Sequence, residues 1–537
     1  MNRQIAAKPQ QAELVCKSSQ VFTERRGATY REQDEINIYI PPSLAVVNCK
    51  NTFLQCRVKM EGNLKVCPSG VAGCYSMFRD LTVMDGTGQY VLEQLQNYGE
   101  FDGVRQFYSE NESLKNIRVL HEGKPSALVI GNTVGNQYID AKEHSAANVY
   151  KEVEVLLPLH NSGCLSPDRD TTFPNMATNG LRIRINLNDA QTATNCLTAP
   201  LFDTQGIEVV EGTLESNGNF KQKGGGGYTA ANGYELQAGV AQGAVTLVLK
   251  NTRDTLGTDN RVLSPDNTTP AHLFMVGQTI RLNDAENVTI SNVSVDGNNR
   301  INLTCSAVAA AAGYNAGASV HIVVDATTSS SQNYAISDVK MIVGSVVPPQ
   351  GYVEDVLQQI GRGLQLDIRT YQNYPVNIAN NSLNNSLYLN ARNNRAKSIL
   401  SVLFKSTGNA FVEDSMIPDR GTVRDYQYIL YKILTPDRLV DMNRFNLESF
   451  NGIALREQMA ALGAADIPVN NILKNYEHFF IGRRLAMKNY SYNMNKPDQG
   501  EVRLNVNYNV MEGILMNNFV VNLRRLIIRP EGIDIIY

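Results

Sequence analysis

Apolar and polar residues alternate along many short stretches of this 537-residue chain, which is the period of a half-buried β-strand. The two clearest stretches read LRIRINLN from Leu181 and VRLNVNYN from Val502, and Arg, Asn and Asn recur at the same places in both. Each is followed by one more strand-like run, YAISDVKMIV from Tyr334 and FVVNLRRLII from Phe519, which ends its half of the chain. This ordered recurrence predicts two copies of one β architecture.

A strand, a proline pair and a short helix separate the two copies. Residues 339–347 are mostly apolar and β-branched, which favours a buried strand. Pro348 and Pro349 end this strand because proline donates no hydrogen bond to a sheet. Apolar residues then recur at spacings of three and four from Val353 to Ile360, which predicts a linker helix over residues 350–362.

Further matches extend the repeat. Each half opens with an alternating strand, INIYI at Ile36 and LQLDI at Leu364. In the middle of each half a strand leads into a stretch predicted to be helical, residues 92–110 and residues 437–450, the second with a proline suited to a first helical turn. Many short strands separated by turn signals, with few helices, indicate a β-sandwich or jelly roll.

The segment from residue 189 to residue 333 interrupts the repeat, because the corresponding connection in the second half spans only residues 510–518. It is acidic, contains Gly, Ala and Ser runs, and carries strand-like stretches, so we interpret it as an inserted β domain on flexible leads. The predicted fold is therefore all-β with short helices. Its parts are an N-terminal arm (1–34), a first jelly roll (35–188 plus 334–349), an inserted β tower domain (189–333), a linker helix (350–362) and a second jelly roll (363–537).

Composition narrows the classes of function. The net charge of −3 gives no general electrostatic reason to bind nucleic acid, whose protein ligands are usually basic. No apolar run approaches the ~18 residues of a membrane-spanning helix. The first residues, MNRQIAAKPQQAELV, contain no secretory hydrophobic region, so we expect synthesis without a secretory signal. The chain has no Trp, which argues mildly against recognition of sugars through aromatic anchors.

All eight cysteines precede the linker helix, form no CxxC pair and have no His at zinc-binding spacing. A disulfide or metal framework is one interpretation. We favour free thiols that act as small buried apolar side chains in a reducing compartment. Cys67 and Cys74 bracket a Gly-containing loop and are the one pair that merits a check for a disulfide.

The sequence shows no established catalytic motif: it lacks a phosphate-binding loop, HExxH, GxSxG and an EF-hand loop. Asp168-Arg169-Asp170 is an acidic fragment, but such a triplet is more often a solvated turn. The DGTG run that begins at Asp85 lacks the features of a dinucleotide site, so a hairpin turn is the better interpretation. The six histidines form no cluster at ligand spacing. We therefore predict no catalytic, cofactor-binding or metal-binding residues, and no enzymatic activity.

Taken in order, several segments resemble the double jelly-roll major capsid proteins of eukaryotic DNA viruses, in the branch of the virophages, polinton-like viruses and adintoviruses. The resemblance covers nearly all of residues 35–188 and 334–537 and excludes the insertion. The segments that carry it are MFRDLTVMDGTGQYVLEQLQNYGEFDGV, VEVLLPLHNSGC followed by LRIRINLN, YAISDVKMIVGSVVP, NRAKSILSVLFKS, DYQYILYKILTPDRLV, HFFIGRRLAM and the terminal NNFVVNLRRLIIRPEGIDIIY.

The resemblance implies two upright jelly rolls per chain and homotrimeric, pseudo-hexagonal capsomers that tile an icosahedral shell. It implies a location in the virion, contacts with further capsomers, a penton protein and minor capsid proteins, and no sequence-specific binding of nucleic acid. The insertion would extend outward as a tower, and the arm would lie on the inner side or along neighbouring subunits. Two alternatives stay open: a two-domain β-sandwich protein for receptor binding or adhesion, and a polysaccharide-acting enzyme with paired carboxylates in a cleft.

Overall fold

The structure is a computed structural model, and it describes most of residues 15–196, 212–249, 279–323 and 333–536. The gaps within these ranges are 62–65, 70, 110–117, 119–120, 124–125, 131–132, 140–148, 151, 168–171, 215–219, 223–233, 284, 296–300, 349, 379–381, 406–415, 417–422, 431, 443–451, 470–479, 487–490, 496–501 and 512.

Eight strands of the first half form two facing four-stranded arrays. The strands are β1 Val15–Phe22, β2 Glu35–Ile40, β3 Val46–Glu61, β4 Phe78–Asp85, β5 Val91–Gln96, β6 Glu152–Pro158, β7 Leu181–Leu187 and β8 Asn333–Val347. One array has the order β1-β8-β3-β6, with the short strand Thr172–Phe173 added to β3, and the other has the order β2-β7-β4-β5. This order of eight antiparallel strands is that of a jelly roll.

The second half repeats the same order. Its strands are β9 Leu364–Ile378, β10 Asn384–Leu389, β11 Ala396–Lys405, β12 Val423–Leu430, β13 Ile433–Asp441, β14 Ile481–Arg484, β15 Val502–Tyr508 and β16 Ile514–Arg529. The two arrays are β9-β16-β11-β14 and β10-β15-β12-β13, with the C-terminal strand Gly532–Ile536 paired to β16. Strands β1 to β8 of the first jelly roll therefore correspond, in the same order, to strands β9 to β16 of the second.

The alternation that reveals the repeat has a direct structural cause. Strand β7 pairs with β2 and β4, and strand β15 pairs with β10 and β12, so LRIRINLN and VRLNVNYN have equivalent neighbours. In both strands every second side chain is buried in the core of its own jelly roll, and the others point outward. The prediction of two copies of one β architecture is confirmed.

The N-terminal prediction is wrong in part. Strand β1 lies within the segment predicted to be an extended arm, and it pairs with β8 over its whole length. Tyr30 of the same segment is buried in the first core. The alternating strand INIYI is β2, which pairs with β7, whereas LQLDI is the start of β9, which pairs with β16. The equivalent of β9 is thus β1, whose described side chains, residues 17–22, are all exposed or half-buried, unlike those of β9.

Three longer helices connect these strands: α1 Tyr98–Ser109, α2 Gln350–Arg362 and α3 Gly452–Ala464. Helix α2 lies where the sequence predicts a linker helix. Two other helix predictions need correction, because residues 91–96 form strand β5 and residues 433–441 form strand β13. Pro436 belongs to that strand and follows a cis peptide bond, so it does not begin a helix. Helix α3 begins further along the chain, at Gly452.

The insertion forms its own β unit with a small apolar core that includes Leu247, Ile280 and Leu303. Of the described strands between residues 189 and 333, Thr194–Cys196 pairs with Val66–Pro68 of the first half, and Gly212–Leu214 pairs with Phe220–Gln222 in a separate hairpin. The strands of the main sheet are Tyr234–Glu235, Thr246–Val248, Thr279–Leu282, Glu286–Val295, Ile301–Cys305 and Ser319–Val323. Strands Ser126–Ile130 and Thr133–Ile139, from the connection between β5 and β6, join the same sheet. The predicted boundaries need correction here, because residues 126–139 lie within the segment predicted to be the first jelly roll.

The cysteines whose side chains the structure describes are free and buried: Cys49, Cys56, Cys74, Cys164 and Cys305. Burial raises the pKa of the Cys56 thiol to about 12, so the thiol stays protonated and unreactive. The expectation of free apolar thiols is confirmed for these five. Cys74 is free and therefore forms no disulfide with Cys67, whose side chain lies outside the described residues.

Candidate assembly site at the junction of the two jelly rolls

Helix α1 is buried along its entire length between the two jelly rolls. All twelve of its residues are buried, including Glu100, Asp102 and Arg105. One side of the helix packs against strand β4 and the 3-10 turn Cys74–Met77 of its own jelly roll. The other side faces the outer surface of the β9-β16-β11 sheet. The helix therefore joins two cores that would otherwise be separate sandwiches.

Aromatic side chains make the central contact of this junction. The ring of Phe101 stacks on Tyr371 of β9, with centroids 4.0 Å apart, and meets Phe519 of β16 edge-on at 5.1 Å. Near the end of α1, Tyr108 packs against Phe480 with centroids 5.3 Å apart and accepts a 3.0 Å hydrogen bond from Gln458 of helix α3. Because aromatic pairs of this geometry stabilise beyond their buried area, the contact favours one fixed arrangement of the two halves.

The backbone of Gly163, in the loop after β6, lies close to the backbone of Arg369 in β9. A Cβ atom at this position would lie 2.2 Å from the carbonyl oxygen of Arg369 in β9. Any side chain would therefore force the two jelly rolls apart. Glycine at this position lets the first half reach the second sheet directly.

A buried polar group sits beside the aromatic contact. The Glu100 carboxylate accepts hydrogen bonds from the amides of Asn97, at 3.0 Å, and Asn517 of the second half. Asn373 donates to Asn97 at 3.1 Å and to Asn517 at 2.9 Å, which closes the network across the junction. Burial, assisted by the charge of Asp80, raises the pKa of Glu100 to about 7, although both amide donors oppose this shift.

A second polar contact anchors the end of β16. Arg524 is 2% exposed and donates a 2.7 Å hydrogen bond to the carbonyl of Leu92 in β5. Its charge also attracts the buried carboxylate of Glu93, which accepts hydrogen bonds from Ser162 and from the backbone of Gly163. Burial raises the pKa of Glu93 even so, because desolvation exceeds these favourable contacts. The side chains of Arg524 and Glu93 are thus both buried where the halves meet.

A third buried network lies along α1 within the first half. Asp102 lies 3.6 Å from Arg105 and accepts a 2.9 Å hydrogen bond from Asn161. Glu122 lies 3.9 Å from His160. Burial alone would raise the pKa of Glu122, but the contact with His160 and the charges of Arg118 and Arg105 together lower the pKa below its ordinary value. This explains why the sequence pattern did not reveal the site: a helix with polar residues on every side is typical of a solvent-exposed helix, whereas here Glu100 and Asp102 have buried partners.

The structure describes one of the two acidic or Gly-rich segments considered as site candidates in the sequence. The DGTG run forms the β4–β5 hairpin turn, in which Asp85 accepts a 2.8 Å hydrogen bond from the Tyr90 amide. The triplet at residues 168–170 lies outside the described residues. Among the residues that the structure describes, no three His, Cys, Asp or Glu side chains are arranged to hold a metal ion. In the same part of the chain, no helix is both long and apolar enough to cross a membrane.

Several solved structures that match this chain are described as viral capsids or capsid proteins. The chain aligns with the Faustovirus major capsid protein over 96% of its own length and 91% of the other chain, at 8% identity and a TM-score of 0.53. A quasi-atomic model of the PBCV-1 virus capsid matches over 98% and 97% at 8% identity and a TM-score of 0.48. The mavirus major capsid protein matches over 97% and 90% at 8% identity and a TM-score of 0.40.

No protein-family model and no curated protein sequence matches the chain. We therefore base the shared fold on the Faustovirus protein, which has the highest TM-score of these three and is aligned over nearly the whole of both chains. The protein is a double jelly roll with an inserted β unit.

Proposed function

We propose that this protein is a major capsid protein, and that three copies form a pseudo-hexagonal capsomer that tiles an icosahedral viral shell. The observation that carries the proposal is the junction itself. Helix α1 fixes two equivalent jelly rolls side by side in one chain, so three copies place six similar barrels around one axis. Such barrels suit a shell because their facing sheets are stiff and their flanks supply broad contact surfaces.

The fold shared with the Faustovirus major capsid protein supports this proposal. The role is structural and requires no catalytic group. The main partner is a second copy of the chain, first within the capsomer and then between capsomers, with a penton protein and minor capsid proteins as further partners in the virion.

The test is the mass and shape of the purified protein. Multi-angle light scattering should give three times the chain mass of 59.3 kDa, and electron microscopy should show compact particles with a hexagonal outline. Because an obligate oligomer has little folded monomer, the mass should stay constant on dilution to low micromolar concentration. A monodisperse monomer that binds a cell-surface receptor would instead establish the two-domain adhesion protein.

The inserted unit, with the strands at residues 126–139, forms an outward tower in this proposal. Its core is separate from those of the two jelly rolls, so the barrels do not depend on it. Replacing residues 206–328 and 124–148 by short Gly/Ser linkers should leave a soluble trimer that lacks the outermost feature. Aggregation or dissociation of the shortened protein would show that the insertion contributes to the trimer interface.

A further inference from the structure

Four positively charged side chains lie close to one another at one end of the second jelly roll. Arg395 directly precedes β11, Lys397 is the second residue of that strand, and Arg525 lies in the last part of β16. The backbone oxygen of Lys397 accepts a 2.9 Å hydrogen bond from Leu485, so Arg484 at the end of β14 lies beside it. We define Arg395, Lys397, Arg484 and Arg525 as the basic cluster.

Acidic side chains balance only part of the charge of the basic cluster. Asp367 of β9 is shared by two of its members, since it lies 2.7 Å from Arg395 and 2.8 Å from Arg525. In the described part of the chain, no carboxylate lies within ion-pair distance of Lys397 or Arg484. One carboxylate therefore serves four cations, and the cluster keeps a net positive charge.

Lys397 shows the effect of this unbalanced charge. Partial burial lowers the pKa of Lys397, and the positive charges of Arg395 and Arg484 lower it further. Asp466 opposes the shift, but its carboxylate already lies 3.1 Å from Arg369. Like charges close together disfavour the charged form of each group, and an anion bound between them removes this repulsion. The basic cluster thus suits an anionic ligand.

The composition of the basic cluster favours phosphate among anions. Three of its four members are arginines, whose planar guanidinium groups match phosphate oxygens in pairs. Asp367 holds two of these groups in place: Arg395 donates to it at 2.7 and 3.3 Å, and Arg525 donates at 2.8 and 2.9 Å. Each guanidinium has five N–H donors and uses two of them for Asp367, so donors remain for a phosphate group.

We infer that the basic cluster binds the phosphate backbone of a nucleic acid without reading its sequence. Double-stranded DNA carries one negative charge per ~1.7 Å of its length, so several phosphates come within reach of one cluster. A membrane is the less suitable partner, because the cluster lies at strand ends rather than on an amphipathic helix, and the chain has no Trp to anchor in a bilayer. The net charge of −3 does not conflict with this inference, since residues 189–333 supply an excess of acidic side chains.

Topology places the basic cluster at the end of the barrel away from the connection that corresponds to the insertion. Strand β11 pairs with β16 from Lys405 and Ile514, beside that connection, to Ala396 and Asn522, beside the cluster. In the proposed capsid the insertion points outward, so the cluster faces the enclosed genome. Only this placement rests on the proposed function, because the binding itself can be measured in any state of assembly.

Removal of two charges tests the inference. Lys397→Gln combined with Arg484→Gln should weaken binding of a fluorescently labelled DNA duplex about tenfold at low salt, measured by anisotropy. The slope of log affinity against log salt should fall in magnitude by about two, because each phosphate contact contributes about 0.9. The matched control is Arg31→Gln combined with Arg184→Gln. It removes two charges that lie 3.0 Å and 3.5 Å from their own carboxylates, and it should change neither value.

Three results would overturn the inference: a wild-type protein that does not bind DNA at low salt, equal affinity in the cluster variant and the wild type, or equal weakening in both double variants. Vesicles of phosphatidylserine and phosphatidylcholine are the second probe. Cluster-dependent binding to these vesicles without binding to DNA would assign the site to a membrane and would also overturn the inference.

Two further measurements keep the test decisive. Unfolding midpoints in urea should be the same for the wild type and both double variants; if the cluster variant unfolds, Lys397→Gln and Arg484→Gln are measured singly, and each should lower the salt slope by about one. Light scattering of the same samples tests the capsomer separately. A monomer that binds DNA through the cluster would overturn the capsid proposal and leave this inference standing.

Discussion

The outer sides of the two equivalent sheets differ completely, although their strands follow the same order. In β11 the outward side chains are Leu400, Val402 and Phe404, all buried against the first jelly roll. In the equivalent strand β3 the outward side chains are Gln55, Arg57 and Lys59, which are exposed or half-buried. One architecture thus carries two surfaces: an apolar one for a permanent contact within the chain, and a charged one that the single chain leaves in water.

This comparison explains how one chain can hold two barrels rigidly and still offer a surface for assembly. An apolar outer side must be covered at all times, so it suits a partner linked by α2 in the same polypeptide. A charged outer side can remain in water, because its exposed side chains are solvated and form ion pairs with one another. The predictions below test the permanent contact first and the exposed surface last.

The largest effect is expected from Arg524→Leu. The substitution removes the hydrogen bond to Leu92 and leaves the buried Glu93 carboxylate without its nearby positive charge. Loss of a buried hydrogen bond from a charged donor costs about 1.5–3 kcal/mol of the free energy of unfolding, and the packing of the buried side-chain stem is lost with it. Urea denaturation should show this loss. Arg529→Leu is the control, since Arg529 and Asp534 form an exposed pair at 2.6 Å, and it should cost at most about 1 kcal/mol.

The junction should also respond to pH through Glu100. Its pKa in the folded protein is about 7, above the ordinary 4.5, so folding favours the protonated form. The stability present below about pH 4.5 is therefore lost as the pH rises through 7, by roughly 3 kcal/mol in total. Glu100→Gln keeps the shape and the acceptor oxygen but removes the charge. The variant should be more stable than the wild type above pH 7 and equal to it near pH 4.5.

Thermal unfolding from pH 4.5 to pH 8 measures this difference. Only the change between wild type and variant is relevant, because the other titratable groups are the same in both proteins. Parallel pH profiles for the two proteins would contradict a neutral Glu100 at the junction.

A smaller effect is expected from Gly163→Ala. The added methyl group would meet the Arg369 carbonyl, so the loop after β6 must shift away from β9. Overpacking of this kind costs about 1–3 kcal/mol. The matched control is Gly351→Ala, where no atom lies within 4 Å of the added methyl group, and it should not destabilise the protein. Equal melting temperatures for the two variants would show that the junction is looser than the structure indicates.

The smallest effect on folding should come from the charged sheet. Arg57→Ala removes exposed ion pairs with Glu152 and Asp338, which contribute at most about 1 kcal/mol. Its unfolding midpoint in urea should match that of the wild type closely. A loss as large as that of Arg524→Leu would show that the charged outer side of β3 is needed for the fold itself, which would remove the contrast between the two sheets.

The alternating patterns determined much of the fold. Strands β7 and β15 can be predicted from the sequence because each has one buried and one solvent-facing side, so every second residue is apolar. The linker helix at residues 350–362 can also be predicted, because its apolar residues recur at helical spacing. The sequence of strand β11 also indicates its environment, because the nearly unbroken apolar run ILSVLF is typical of a strand buried on both sides.

Only the tertiary structure decided the rest. The described side chains of strand β1, residues 17–22, are exposed or half-buried, so its local sequence resembles an arm, and its pairing depends on β8, far away in the chain. Helix α1 has polar residues on every side, and its complete burial depends on partners such as Asn161 and Asn517. Local periodicity reports which sides of an element are apolar. It does not report which distant residues satisfy a buried charge, and at this junction those residues position the two halves.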